Sequence, residues 1–225
     1  MAWYTAASSG ATCVAAYDAV GAASLADSYV NEANPGTNDA APGVAPTWAY
    51  GTGWTFDGAT QYLTTGITPL DAYSFMIRFS NRTGTGAHCL MGVDVAGNNF
   101  DFFPYSGGSS YWQRNGGFVS DTAKTAGVSG LAGHSAYFNG AVVSVPFGPP
   151  ADAQGALFIG CRNDGSPIYY TPADVQAAAI WSGTLDATDV TTITAAMNAL
   201  PVASGVVWPG IGNGAIGGRL GRVAV

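Results

Sequence analysis

The chain has 225 residues, of which only 9% are charged: 7 basic and 14 acidic side chains, for a net charge of −7. Over the roughly 9,600 Å² that a compact monomer of this size exposes, that is about one charge per 450 Å². The balance argues against a nucleic-acid binder, since Lys124 is the only lysine. The 48% apolar and 12% aromatic content argues against disorder, and the apolar stretches are too interrupted for a spanning helix.

In chain order, the first segment, Met1 to Cys13, lacks a basic stretch followed by an apolar one, so synthesis in a cytoplasm is expected. A short helix is expected from Ser24 to Val30, ended by Asn34-Pro35-Gly36. From there, turn signals recur about every ten residues with short strand-like runs between them, the spacing of a β-sandwich or barrel. Trp54 to Phe56 and Tyr62 to Thr65 are the first such runs. Ser74 to Phe79 alternates clearly, with Phe75, Ile77 and Phe79 on one face and Ser74, Met76 and Arg78 on the other. Cys89 to Val93, Asn99 to Tyr105 and Tyr111 to Arg114 follow, then Asn115-Gly116-Gly117, which supplies the positive φ of a tight hairpin. Asn139-Gly140 predicts a second hairpin between Ser135–Phe138 and Ala141–Val145. Ala156 to Cys161 and Val175 to Ser182 complete the strands, the latter with Val175, Ala177, Ala179 and Trp181 expected on one face. Asp186 is a good N-cap with Asp189 three residues on, Val190, Ile193, Met197 and Leu200 form an apolar stripe, and Pro201 stops the helix.

Composition changes after Pro201. Residues 201–225 are Gly- and Val-rich and read as a tail apart from a sandwich over 1–200. The tail either completes the sandwich or docks on a partner through Trp208, Arg219, Leu220 and Arg222. Gly212, Gly214 and Gly217 match a dinucleotide-loop pattern but lack the helix that must follow it. Cys13, Cys89 and Cys161 have no metal-like spacing and are expected as buried thiols, with one disulfide and one free cysteine as the alternative. The pattern Asn81-Arg82-Thr83 is read as a chance glycosylation match.

Four segments in order carry a family likeness: Gly53 to Gly58 with Gln61-Tyr62-Leu63; Ser74 to Phe79; Ala136 to Gly140; and Leu157 to Gly160 leading to Ala178-Ala179-Ile180-Trp181. Across roughly residues 50 to 200 the chain resembles the concanavalin A-like lectin/glucanase superfamily, in its laminin-G-like branch. The resemblance implies an all-β fold, a two-sheet antiparallel jelly-roll sandwich with one short helix near 186–199. Gly21 to Asn31 is similar to domains of this branch in bacteriophage structural proteins. That likeness implies a virion protein, made in a host cytoplasm and acting on the particle surface, whose partners are other virion proteins or copies of itself. The pattern departs from the family at Thr125 to Gly133, where a short Gly-rich segment puts one strand in doubt.

The chemistry-bearing residues point to binding. The superfamily's glucanases place two Glu around an Asp on one strand, whereas Glu32 is the only glutamate here. Catalysis is therefore not expected. Glycan recognition is assigned to Tyr105, Tyr111, Trp112, Arg114 and Asn115, because a ring face packs on sugar C–H groups while amide and guanidinium groups meet hydroxyls. Alternation sends Tyr111 or Trp112 inward. Calcium is the realistic ion, with Asp94, Asn98, Asn99 and Asp101 as candidate oxygen ligands on one turn; the alternative there is a solvated hairpin tip. His88 and His134 are expected as strand residues with local hydrogen bonds. Cys161 beside Arg162 would need a histidine partner to act as a nucleophile. The expected function is a non-enzymatic virion surface, decoration or adhesion protein; a free carbohydrate-binding module and a glycoside hydrolase are the alternatives.

Overall fold

A computed structural model describes residues 2–144 and 147–201. A single 3-10 turn at Trp3–Thr5 precedes β1 (Cys13–Asp18), α1 (Leu25–Ser28), β2 (Ala41–Val44), β3 (Thr47–Ala49), β4 (Gly53–Thr55) and β5 (Tyr62–Thr64). The middle of the chain forms β6 (Ser74–Ser80), β7 (Met91–Val95), β8 (Asn98–Ser106), β9 (Ser109–Arg114) and β10 (Gly117–Thr122). Then come β11 (Gly127–Ala132), β12 (Ser135–Phe138), β13 (Ala141–Ser144), β14 (Phe158–Ile159), β15 (Arg162–Asn163), β16 (Pro167–Ile168), β17 (Asp174–Trp181) and α2 (Ala187–Asn198).

The strands make two sheets packed as a sandwich. Sheet A runs β13-β12-β11-β6-β17-β4-β3, with β1 also on β17. Sheet B runs β10-β9-β8-β7-β14-β5-β2, with β15 parallel to β7 and β16 beside it. Period-two alternation fills the space between them. Phe75, Ile77 and Phe79 of β6 meet Phe100 and Phe102 of β8, with Trp54, Leu63 and Trp112 in the same core. Phe75 meets Phe100 edge-on at 4.9 Å between ring centroids. Burying each such ring stabilises the fold by about 1.5–3 kcal/mol.

The outer face of sheet A forms a second core. Met76, Val128, Ala132, Ala177, Ala179 and Trp181 pack against Val190, Ile193 and Met197 of α2. Asp186 caps that helix by accepting from the Asp189 N–H at 2.8 Å, and the Asp189 carboxylate accepts from the Asp186 N–H in return. Arg78, on the same sheet face, donates to the Met197 and Leu200 carbonyls at the other helix end. The alternate residues of β6 thus face a helical layer. Among the described residues no helix is long and apolar enough to cross a membrane.

Several expectations change. Gly127–Ala132 is a regular strand paired to both β6 and β12, because its glycine accommodates a close neighbour: a Cβ at Gly130 would lie 2.2 Å from the Met76 sulfur. In β17, a register shift between Val175 and Ala177 turns Val175 into the inter-sheet core, away from Ala177, Ala179 and Trp181. Strands β1, β2, β3 and β10 carry no strong local signal and are set by their pairing. The proposed docking residues Trp208, Arg219, Leu220 and Arg222 lie outside the described residues.

Candidate functional site

The hairpin from β9 to β10 sets the geometry of the open face of sheet B. Asn115 and Gly116, with φ of 47° and 80°, form its two-residue turn, and Gly117 pairs with Arg114. That register places Phe118 opposite Gln113 and Ser120 opposite Tyr111. Tyr111 and Gln113 therefore point outward, while Trp112 and Arg114 point into the sandwich.

A cavity of about 300 Å³ opens on this outer face, lined chiefly by Phe103, Tyr111, Gln113, Phe118, Arg162 and Tyr169. Tyr111 and Phe118 form one wall, with ring centroids 6.0 Å apart. Tyr169 forms the other, with its ring 5.5 Å from Phe103 and 4.8 Å from the Arg162 guanidinium carbon. Phe118 and Tyr169 are large exposed aromatics, 62% and 41% accessible. Tyr169 has a φ of 55°. Among the described residues, four of the other five non-glycine residues at positive φ are asparagines, whereas a bulky side chain there is an outlier of the kind that gathers at functional sites. Its carbonyl is held by the Cys89 N–H at 2.7 Å.

Polar groups form the floor. Arg162, on β15, lies beside β7 and bonds Asp94 at 3.0 Å, with Asp101 at 3.6 Å and Asp164 at 3.5 Å. With its amide nitrogen toward Asp101, Gln113 donates to both carboxylate oxygens at 3.1 and 3.2 Å. Gly92 makes the cluster possible, since a Cβ there would lie 2.5 Å from the Asp101 Cβ and 2.6 Å from the Cys89 sulfur. Complete burial pushes the Asp101 carboxyl well above its usual range, against the lowering pull of Arg162. Burial also raises Asp94, again opposed by Arg162. For Arg162 itself, burial works to lower the pKa, but the surrounding acidic groups, Asp101 foremost, leave it raised.

Of the residues assigned to glycan recognition from sequence, Tyr111 lines the cavity. Trp112 is fully buried and donates to the Ser129 hydroxyl. Arg114 is fully buried over the Phe100 ring and donates to the Leu70 and Asp71 carbonyls. Both are corrections with one cause, the strand alternation that exposes Tyr111. Asn115 is buried and ties the Pro149 and Ala151 carbonyls to the hairpin, so it too is structural. Tyr105 lies under the Arg82 guanidinium at 4.6 Å, beside His88 rather than on the cavity wall.

The four calcium candidates do not gather into one ligand shell. Asp94 and Asp101 are taken by Arg162, Asn99 accepts from the Gly116 N–H, and Asn98 donates to the Asp152 carbonyl. Among the described residues, no group of three or more His, Cys, Asp or Glu side chains is arranged to hold a metal ion. His88, at an isolated bridge to Tyr105, bonds the Tyr170 carbonyl, and His134, in the turn between β11 and β12, bridges the Phe147 carbonyl and Asp71; contrary to expectation neither lies in a strand, and their partners come from distant parts of the chain. All three cysteines are free thiols; Cys89 and Cys161 are buried and Cys13 half-buried. Burial pushes Cys161 up to about 12, so no thiolate forms beside Arg162 near neutral pH.

Gln113, Phe118, Arg162 and Tyr169 were missed from sequence. Hairpin register was signal enough for two of them: once Asn115-Gly116 is the turn, Gln113 follows from Tyr111 by period two and Phe118 faces it across the hairpin. Arg162, on β15, and Tyr169, just after β16, come from a part of the chain distant from β9 and β10 and have no local signal.

No family model matches the chain, and no curated protein matches it. Solved structures do share the fold. Domain 4 of AbnA, an extracellular GH43 arabinanase from Geobacillus stearothermophilus solved in complex with arabinotriose, superposes with a TM-score of 0.54 at 11% identity, covering 82% of this chain and 98% of that one. Trypanosoma rangeli sialidase superposes with a TM-score of 0.54 at 11% identity over 84% of this chain. The match spans 33% of the sialidase chain. At such identities the likeness establishes the β-sandwich fold and nothing finer.

Proposed function

We propose that the protein is a carbohydrate-binding β-sandwich module that recognises saccharides in the cavity of sheet B without hydrolysing them. The observation that carries this is the pairing of exposed aromatic walls, Tyr111 with Phe118 and Tyr169 opposite, with a floor of planar polar groups from Gln113 and Arg162. Ring faces pack on sugar C–H groups, and amide and guanidinium edges meet hydroxyls; a concave site with a few fixed polar groups is the usual form of a small-ligand site. The fold shared with an arabinanase domain solved with arabinotriose supports the same reading. A binding role rather than catalysis is favoured because Asp94, Asp101 and Asp164 are all engaged by one guanidinium. Titration calorimetry against neutral and acidic oligosaccharides tests the proposal. Binding is expected in the wild type and lost in the Tyr111→Ala/Phe118→Ala double variant. A panel with no ligand sinks it, and release of reducing ends from any polysaccharide overturns the non-catalytic part.

A second reading concerns where such a module works. A virion-surface role, in decoration or adhesion, is supported by the charge-poor surface and by the likeness of Gly21 to Asn31 to phage structural domains. In that segment Ser24 caps α1, and the buried Asn31 accepts from the Ala16 N–H and donates to the Val14 and Thr37 carbonyls. Co-sedimentation of the protein with purified particles is expected; its absence from particles refutes this placement and leaves the saccharide site standing.

A further inference from the structure

Arg162 is the only charged side chain lining the sheet B cavity among the described residues. In a site for sugars, an arginine on the floor would ordinarily select an anionic sugar, because a guanidinium pairs a carboxylate through two parallel hydrogen bonds. Here both Nη groups that would make that pairing already face carboxylates, and the Nε atom is buried without a partner. One Nη bonds Asp94 at 3.0 Å and lies 3.6 Å from Asp101, and the other reaches Asp164 at 3.5 Å. Three carboxylates thus face one cation. Even with Asp101 carrying a proton, two still oppose it, so the floor bears no free positive charge. Arg82 is engaged by the Lys124, Thr83 and Gly84 carbonyls, and Arg114 points into the sandwich.

The other polar side chains of the lining, Ser106, Tyr111, Gln113 and Tyr169, carry no compensating positive charge. Gln113, with its nitrogen directed to Asp101, turns its amide oxygen, an acceptor, to the opposite side. Uncharged hydroxyl and amide groups suit sugar hydroxyls, which both donate and accept, and give a sugar carboxylate no counter-charge.

Resting on the saccharide reading above, we infer that the cavity selects neutral saccharides and rejects sialylated or uronic-acid sugars, with the Asp94–Asp101–Asp164 set around Arg162 as its charge filter. Two unit charges about 6 Å apart at an effective dielectric near 40 repel by about 1.4 kcal/mol, about a tenfold penalty in affinity.

The test compares matched pairs of ligands by titration calorimetry: lactose against 3′-sialyllactose, and a neutral arabino- or xylo-oligosaccharide against oligogalacturonide. The neutral member of each pair with detectable binding is expected to bind at least about tenfold tighter, with the gap narrowing as salt is raised. Asp164 is surface-exposed, so Asp164→Asn is expected to fold normally and to narrow the gap about threefold. Equal or tighter binding of the acidic member overturns the charge filter while leaving the saccharide site intact. A preference that Asp164→Asn does not move overturns the assignment of the filter to this cluster. If no ligand of either kind binds, the saccharide reading itself fails and the filter falls with it.

Discussion

The two sheets follow the same alternation, yet their outer faces have opposite fates. Sheet A turns Met76, Ala179 and Trp181 outward, and α2 seals them. Sheet B turns Gln113 and Tyr111 outward to line an open cavity, with Asp101 buried beside Arg162. An apolar outer face must be covered, since exposed apolar surface is costly. A sheet face that keeps buried polar groups and strained backbone beside exposed rings is retained for something other than stability. On the proposed function, stability and recognition are allotted to opposite sides of one sandwich.

That separation can be broken experimentally, and the largest effect belongs to the sealed side. Trp181→Ala is expected to destabilise the fold by about 3–5 kcal/mol, which lowers Tm by roughly 10 °C for a chain of this size. Its saccharide affinity, measured where the variant is still folded, is expected to be unchanged; a loss would show that the two faces are coupled. Next, Tyr111→Ala alone is expected to weaken binding about tenfold while moving stability by less than about 0.5 kcal/mol. A thermal melt beside the titration separates the two, and a large fall in Tm would make Tyr111 part of the structural side. Asp186→Ala, which removes the cap of α2, is expected to cost about 1 kcal/mol by denaturant titration, with no change in binding.

The smallest effect is a pH dependence on neither face. Burial works to raise the Asp57 carboxyl, but the Thr60, Ala59 and Gln61 N–H groups and the Thr60 hydroxyl outweigh it and hold it at about 2. A carboxyl whose folded pKa lies below its unfolded value of about 3.9 binds fewer protons when folded. Its contribution is fully present above about pH 4 and is lost as pH falls towards 2. Asp57→Asn is therefore expected to flatten the acid limb of Tm against pH in that window, with cavity binding at neutral pH unaffected.

Local signals made much of this molecule readable before its structure. Phe75, Ile77 and Phe79 were placed on the core face of β6 by period two alone, and the Asn115-Gly116 and Asn139-Gly140 hairpins by their need for positive φ. The cap at Asp186 and the stripe of α2 were read from three- and four-residue spacings. The candidate site was only partly legible. Tyr111 was identified, but Trp112 and Arg114 were joined to it because neighbours in sequence were treated as neighbours in space, which a strand forbids.

The sequence by itself determined which residues share a face, where the chain turns and where the late helix is capped, because each of these depends on contacts a few residues apart; the two-sheet sandwich was implied by the family resemblance. The tertiary structure alone decided the rest. The register shift in β17 that turns Val175 inward depends on its partner strand. So does the parallel pairing of β15 with β7, which lays Arg162 between Asp94 and Asp101. Tyr169 reaches the cavity only because β15 is paired there and Cys89 holds its carbonyl. These contacts join distant parts of the chain, and no local window of sequence carries the energy that selects them.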